Sequence, residues 1–296
     1  MGSISVSNDF SSFSKNLRLS DSVVQTIQER YHRITKRINI DYWSTDSETS
    51  HSLYVGSYGR GTAIFASDVD IVVEIPWSQY SRYNDYSGNG QSAFLQDVKD
   101  SLKKTYSASS IRADGQVIVI DFKDGIKFEI VPSFVFSDDG SYYYPDTNNG
   151  GTWRKMNPRA EIDAIRTRDK ALNGNIRYLA RMIRAWNNNM TVLMSGYLID
   201  VTVCRFLANY EYKDKSFTYH DWMSRDYFNY LINNADQDYW VFPGSGSYVR
   251  PKYSFLTDAR KAYNLSLEAI EAYDKDYSYA WHQKWREIYG NKFPSI

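Results

Sequence analysis

The chain of 296 residues contains a single cysteine, Cys204, so neither a disulfide framework nor a thiolate zinc site can be built from it. Its four histidines, His32, His51, His220 and His282, lie far apart and show no ligand spacing, which removes a histidine-based metal centre. There is no excess of charge: 35 Lys and Arg balance 35 Asp and Glu. That balance argues against a polybasic binder of long nucleic acid. No apolar run approaches the ~20 residues of a membrane span. The N-terminus lacks the apolar core of a secretory signal, so a cytoplasmic, non-membrane protein is expected. No repeat, low-complexity tract or Pro/Gly linker interrupts the chain.

What is present is a large apolar complement, 42% of residues, with 26 Tyr among them. This is enough for one large or two modest domains with a substantial core. The most informative stretch runs from Tyr54 to Ile75, Y-V-G-S-Y-G-R-G-T-A-I-F-A-S-D-V-D-I-V-V-E-I. The β-branched run after Ser67 predicts a buried strand. Residues i and i+2 of a strand share a face, so Asp68 and Asp70 point the same way, roughly 6.5–7 Å apart at Cα. Two carboxylates on one face repel unless a cation lies between them, and hard oxygen ligands suit Mg²⁺ or Mn²⁺. A pair of such ions can clamp the attacking and leaving oxygens of a phosphoryl displacement. Upstream, the glycines after Gly56 free backbone N–H groups to cradle phosphate, and Ser57 adds a hydroxyl. Alone, Gly-Ser reads as a turn and Asp-x-Asp as a strand end; together they point to metal-dependent nucleotidyl transfer.

Gly56-Ser57, a short spacer and Asp68-x-Asp70 resemble the active-site signature of the polymerase-β-like nucleotidyltransferase superfamily. The fuller string G-S-Y-G-R-G-T-A-I…S-D-V-D-I-V-V is similar to the bacterial branch related to cyclic GMP-AMP synthase and oligoadenylate synthetase, the CD-NTases of anti-phage (CBASS) signalling. The resemblance covers most of residues 50–294. It implies an α+β fold, with a mixed-sheet nucleotidyltransferase core over 1–170 and a helical, oligoadenylate-synthetase-like lobe over 171–296. With no Pro/Gly linker between them, two lobes packed face to face with the site between are expected.

Enzymes of this kind need a third carboxylate on a neighbouring strand. Val117–Phe122 and Ile126–Val131 read as strands joined at Lys123-Asp124-Gly125. A two-residue turn at Asp124-Gly125 would put Asp121 and Glu129 on opposite faces, so that only one could join the site. Phe128-Glu129-Ile130 before Val131-Pro132 resembles the family's third-carboxylate motif, which favours Glu129 over Asp121. Relatives often carry Asp there, one methylene shorter. Between Arg154 and Arg184, nine basic residues face only three acids. Within this zone a helix over about 175–187 carries Arg177, Arg181 and Arg184 on one face. M-I-R-A-W resembles the family helix whose basic residue reaches the triphosphate, which implicates Arg184; M-S-G-Y-L-I-D places Ser195 at a phosphate contact and Tyr197 at a base-stacking position. Asp200 reads as helix surface. Elsewhere a helix is expected from Phe10 to about Ile40, another over 62–66, and an irregular segment over 137–160.

The resemblance implies nucleoside triphosphates, ATP among them, as substrates and two Mg²⁺ (or Mn²⁺) as cofactors held by Asp68, Asp70 and Glu129. It further implies a cyclic di- or trinucleotide product and a downstream effector protein as partner; a monomer is expected. The alternatives are transfer to an RNA end, a protein or a small molecule, or an inactive nucleotide-binding module.

Overall fold

The computed structural model describes residues 4–136 and 139–296, folded as two compact units. A sheet unit comprises Leu19–Arg60 and Phe65–Ile162; a helical unit comprises the chain up to Arg18, Gly61–Ile64 and Asp163–Ile296. Where the sequence suggested one boundary after residue 170, the chain thus passes between the units four times.

The sheet unit holds seven strands: β1 (Ser52–Tyr54), β2 (Asp68–Ile75), β3 (Ser110–Asp114), β4 (Val117–Asp121), β5 (Lys127–Val135), β6 (Tyr142–Asp146) and β7 (Thr152–Met156). They run in the order β1-β2-β5-β4-β3, with β6 joining the end of β5 and β7 pairing with β6. β2 and β5 are parallel and the other pairs antiparallel, which makes the sheet mixed. Val69, Ile71 and Val73 of β2, Phe128 and Ile130 of β5, and Ile118 and Ile120 of β4 are buried together. They pack with Ile27 and Ile34 of helix Asp21–Ile38 and with Phe94 and Val98 of helix Gly90–Lys103. Strand alternation then turns Asp68, Asp70 and Glu129 to the opposite face.

In the helical unit, helices Val6–Asn16, Asn175–Asn189, Gly196–Asn209, His220–Asn233, Leu256–Asp274 and Ser278–Tyr289 surround a core rich in aromatic rings. Phe10 stands edge-on to Trp285 at 5.3 Å between ring centroids. Among the described residues no helix is long and apolar enough to cross a membrane.

Several expectations are corrected. The single helix over residues 10–40 is two, Val6–Asn16 and Asp21–Ile38, one in each unit. Ser20 caps the second by accepting the Val23 N–H at 3.4 Å, so the chain restarts a helix there. The helical turn expected over 62–66 is instead the glycine-rich Gly56–Arg60. The segment over 137–160 contains the β6–β7 hairpin; its residues 137 and 138 lie outside the described residues. Strand β3 and helix Pro158–Ala171 were not foreseen. That helix has a legible start: Pro158 is at its first position, and Asn157 accepts the Ala160 N–H at 3.1 Å.

Candidate active site

The parallel register of β2 and β5 sets Asp68 opposite Lys127 and Asp70 opposite Glu129. Paired residues of adjacent strands project to the same side, so all four side chains share the face away from the core. The β4–β5 hairpin differs from the expected one. Phe122 donates to the Ile126 carbonyl at 3.2 Å, so three residues form the loop, and Gly125 takes φ +86. A three-residue loop with glycine in the left-handed region is a standard alternative to the two-residue turn. The extra loop residue shifts the pairing by one: Asp121 lies opposite Lys127 and Val119 opposite Glu129. Asp121 and Glu129 therefore share a face, contrary to the expectation. Strand order separates them instead. Glu129 is on β5, directly beside Asp70; Asp121 is one strand further out and ion-paired with Arg112 of β3.

The glycine turn is fitted to the acids. Val55 N–H donates to the Asp70 carbonyl at 2.9 Å, and the chain then enters Gly56 at φ +59. A Cβ at Gly56 would fall 1.9 Å from Asp70 Oδ2, so only glycine allows this approach. Ser57 follows at the start of the turn, half-buried. Arg60 closes it, buried, with Nη1 3.5 Å from Glu161 Oε2.

Acidic charge is in surplus here. The Asp70 carboxyl is pushed up to about 6, first by burial and then by repulsion from Glu129, with Asp68 adding to it; Arg60 and Lys127 oppose the shift. Among the described residues no three acidic, histidine or cysteine side chains already form a cage for a metal. Instead the Lys127 ammonium lies 2.7 Å from Asp68 Oδ1 and 2.7 Å from Glu129 Oε1. Its hydrogen bonds to those two carboxylates push its own pKa up. Lys127 acts as an internal cation in a cluster that calls for one, and the donor set, all carboxylate oxygen, fits a hard divalent ion. The sequence reading missed Lys127, although its position two residues before Glu129 on a strand was the signal.

The remaining candidates lie in the helical unit. Arg184 is buried, with Nη1 2.7 Å from Asp200 Oδ1 and Nη2 2.9 Å from the Gly196 carbonyl. Asp200 is fully buried, not surface, and also accepts from the Thr62 hydroxyl at 3.1 Å. Arg181 donates to the Gly61 carbonyl at 2.7 Å, and Arg177 Nε is 3.6 Å from Asp169 Oδ2, so the basic stripe is engaged rather than solvated. Ser195 is exposed and caps helix Gly196–Asn209 by accepting the Leu198 N–H at 3.2 Å. Tyr197 stacks on Phe242 at 4.7 Å.

The sequence model of the Second Messenger Oligonucleotide or Dinucleotide Synthetase (SMODS) domain matches residues 4–169, more than half the chain. A probable cyclic nucleotide synthase of Bacillus cereus (strain VD146) is 24% identical over 256 residues, covering 80% of this chain and 74% of the relative. Among solved structures, E. coli MS115-1 CdnC with ATP aligns at TM-score 0.70 and 16% identity, over 98% of this chain and 99% of that one. The Bradyrhizobium diazoefficiens CD-NTase CdnG with GTP aligns at TM-score 0.69 and 13% identity, over 98% and 96%. The α+β fold with a helical lobe is the one these structures share.

Proposed function

We propose, since this chain belongs to the Second Messenger Oligonucleotide or Dinucleotide Synthetase family, that it condenses nucleoside triphosphates, ATP among them, into a cyclic di- or trinucleotide. The observation that carries this reading is the cluster Asp68, Asp70 and Glu129 on one sheet face, fitted against the Gly56-Ser57 turn. In this reading the three carboxylates hold two Mg²⁺ or Mn²⁺ ions. Ions bound there would neutralise triphosphate charge and lower the pKa of the acceptor ribose hydroxyl.

The chain's own part is alignment. Backbone N–H groups at the start of the turn, Gly56–Tyr58, and the Ser57 hydroxyl orient phosphate oxygens. Gly56 and the Val55 N–H fix Asp70 in place. Ser195, at a helix N-terminus, is proposed as a further phosphate contact, and Tyr197 as a base-stacking ring. Arg184, tied to Asp200 and to the Gly196 carbonyl, is assigned to holding the Ser195–Gly196 turn. At the reacting centre the ribose oxygen forms a bond to the α-phosphorus. The bond to pyrophosphate breaks, and the hydroxyl proton leaves to solvent. A second such condensation closes a dinucleotide ring, and a third a trinucleotide ring. The product would activate a downstream effector protein in anti-phage signalling, a reading supported by the family's description as second-messenger synthetases.

The test is incubation of the purified chain with labelled nucleoside triphosphates, singly and in pairs, with Mg²⁺ or Mn²⁺. Products are treated with phosphatase and resolved by mass. A phosphatase-resistant product that disappears in D68A/D70A is expected. Label appearing on co-purifying RNA or protein instead would replace cyclisation with transfer to another acceptor.

A further inference from the structure

A pocket of about 420 Å³ opens in the helical unit, and none of its lining residues is among the site candidates above. That volume is within the range of small-molecule sites, about 300–1,000 Å³. Its apolar surface comes from Ala171 and Ala208, both exposed, and from half-buried Leu172 and Pro243, with Ile176 and Leu207 fully buried beneath them. Its polar side chains are three cations, Arg168, Arg205 and Lys213. Among the described residues no aromatic ring and no amide or hydroxyl side chain lines it, so no ring there would stack on a nucleobase.

Arg168 and Arg205 are exposed at the rim and Lys213 is half-buried. Among the described residues none of the three is within ion-pair distance of a carboxylate, and the Arg168 guanidinium makes no hydrogen bond. Arg205 donates to the Val241 carbonyl at 3.0 Å and Lys213 to the Ala208 carbonyl at 3.2 Å, both neutral acceptors. Donors remain on each, since guanidinium carries five N–H groups and ammonium three. Two helix C-termini end at the pocket, Pro158–Ala171 and Gly196–Asn209. Each supplies roughly half a negative charge. The N-terminus of helix Asn175–Asn189 opens there too and supplies roughly half a positive charge, so the three cations and three helix ends leave a surplus of roughly two and a half.

We infer that this pocket binds a small amphiphilic phosphate monoester, with a short aliphatic body on the apolar surface and the phosphate among Arg168, Arg205 and Lys213. A phosphate monoester carries about −1.5 to −2 at neutral pH, which matches the surplus better than a carboxylate does. Arginine forks favour phosphate oxygens as well. The site is independent of the nucleotide chemistry proposed above.

Calorimetry on the whole chain with octyl phosphate, below its micelle concentration, tests this. Saturable one-to-one binding is expected. Octanoate should bind at least about tenfold more weakly, about 1.4 kcal/mol, and inorganic phosphate or octanol should give no measurable heat. R168E/K213E should lose at least about tenfold in affinity, while D68A/D70A should bind as the native chain does. No saturable binding at millimolar octyl phosphate, equal binding by R168E/K213E, or loss of binding in D68A/D70A would each overturn the assignment.

Discussion

In the sheet unit Asp68, Asp70 and Glu129 share one face with a single lysine between two of them, whereas in the helical unit Arg184 meets Asp200 one to one inside the core. The first cluster carries surplus charge of one sign and is partly exposed; the Asp70 carboxyl is pushed up to about 6 by burial and by its neighbours. The second has its charges matched and adds the Thr62 hydroxyl and the Ala180 and Gly196 carbonyls. Surplus charge held rigidly in place is a demand for something outside the chain. Matched and buried charge is architecture, because each partner already satisfies the other.

Substitutions at the two clusters should therefore separate activity from stability. D68A/D70A should reduce product formation by roughly 10²–10³-fold or more while leaving the metal-free melting temperature unchanged or raised, since it removes repulsion. Mass-resolved product and thermal melting report the two effects. D200A should do the reverse. Leaving Arg184 buried without its partner should cost about 3–5 kcal/mol, read as a lower denaturant midpoint, with activity lost only in step with folding. If D200A kept its stability and lost turnover, the Arg184–Asp200 pair would belong to the chemistry and the contrast would fail.

The surplus charge also has a pH signature. The carboxyl of Asp70 titrates near 6 in the folded chain against an ordinary 3.8, so the fold favours its protonated form. Stability from this source is complete below the ordinary value and is lost as pH rises through about 6. The loss is at most about 3 kcal/mol. Asp221, raised to about 6 by burial, acts in the same direction, and His220, lowered to about 3 by burial, acts in the opposite one. The quantity to measure is thus the difference between native and D70N melting curves from pH 4 to 7, metal-free. The amide of D70N does not titrate, so the native chain should lose stability relative to D70N as pH rises, and saturating Mg²⁺ should restore the native chain above pH 6. Coincident pH profiles for the two proteins would show that Asp70 carries no such strain.

Strand β2 and its two acids were legible because alternation and β-branching are local signals. The helix expected over about 175–187 was legible for a like reason, since its apolar spacing is local, and it is found as Asn175–Asn189. The β4–β5 register was not, since Asp124-Gly125 suits both a two- and a three-residue loop, and one residue reverses which side chains share a face. The buried state of Asp200 was hidden because its partner is sixteen residues away on another helix. Nothing local distinguishes such an aspartate from a surface one. Lys127 is two residues before Glu129 on a strand, a spacing that puts both on one face but does not by itself mark the lysine as a counter-ion to the acids.

Lys127 gives the smallest and sharpest test of the comparison. Its ammonium bridges Asp68 and Glu129 at 2.7 Å each, in a setting where side chains are about one-third exposed or more. Each such pair contributes about 0.2–1 kcal/mol, so K127M should lower metal-free stability by about 1 kcal/mol. The same change removes the cation that a divalent ion would have to displace. Calorimetric Mn²⁺ affinity should therefore rise, by about fivefold if the released competition is worth about 1 kcal/mol. Stability and metal affinity moving in opposite directions is the pattern of an internal stand-in. If both fell together, Lys127 would be holding the carboxylates in their binding geometry, and the sheet cluster would resemble the matched Arg184–Asp200 pair more closely than its surplus charge suggests.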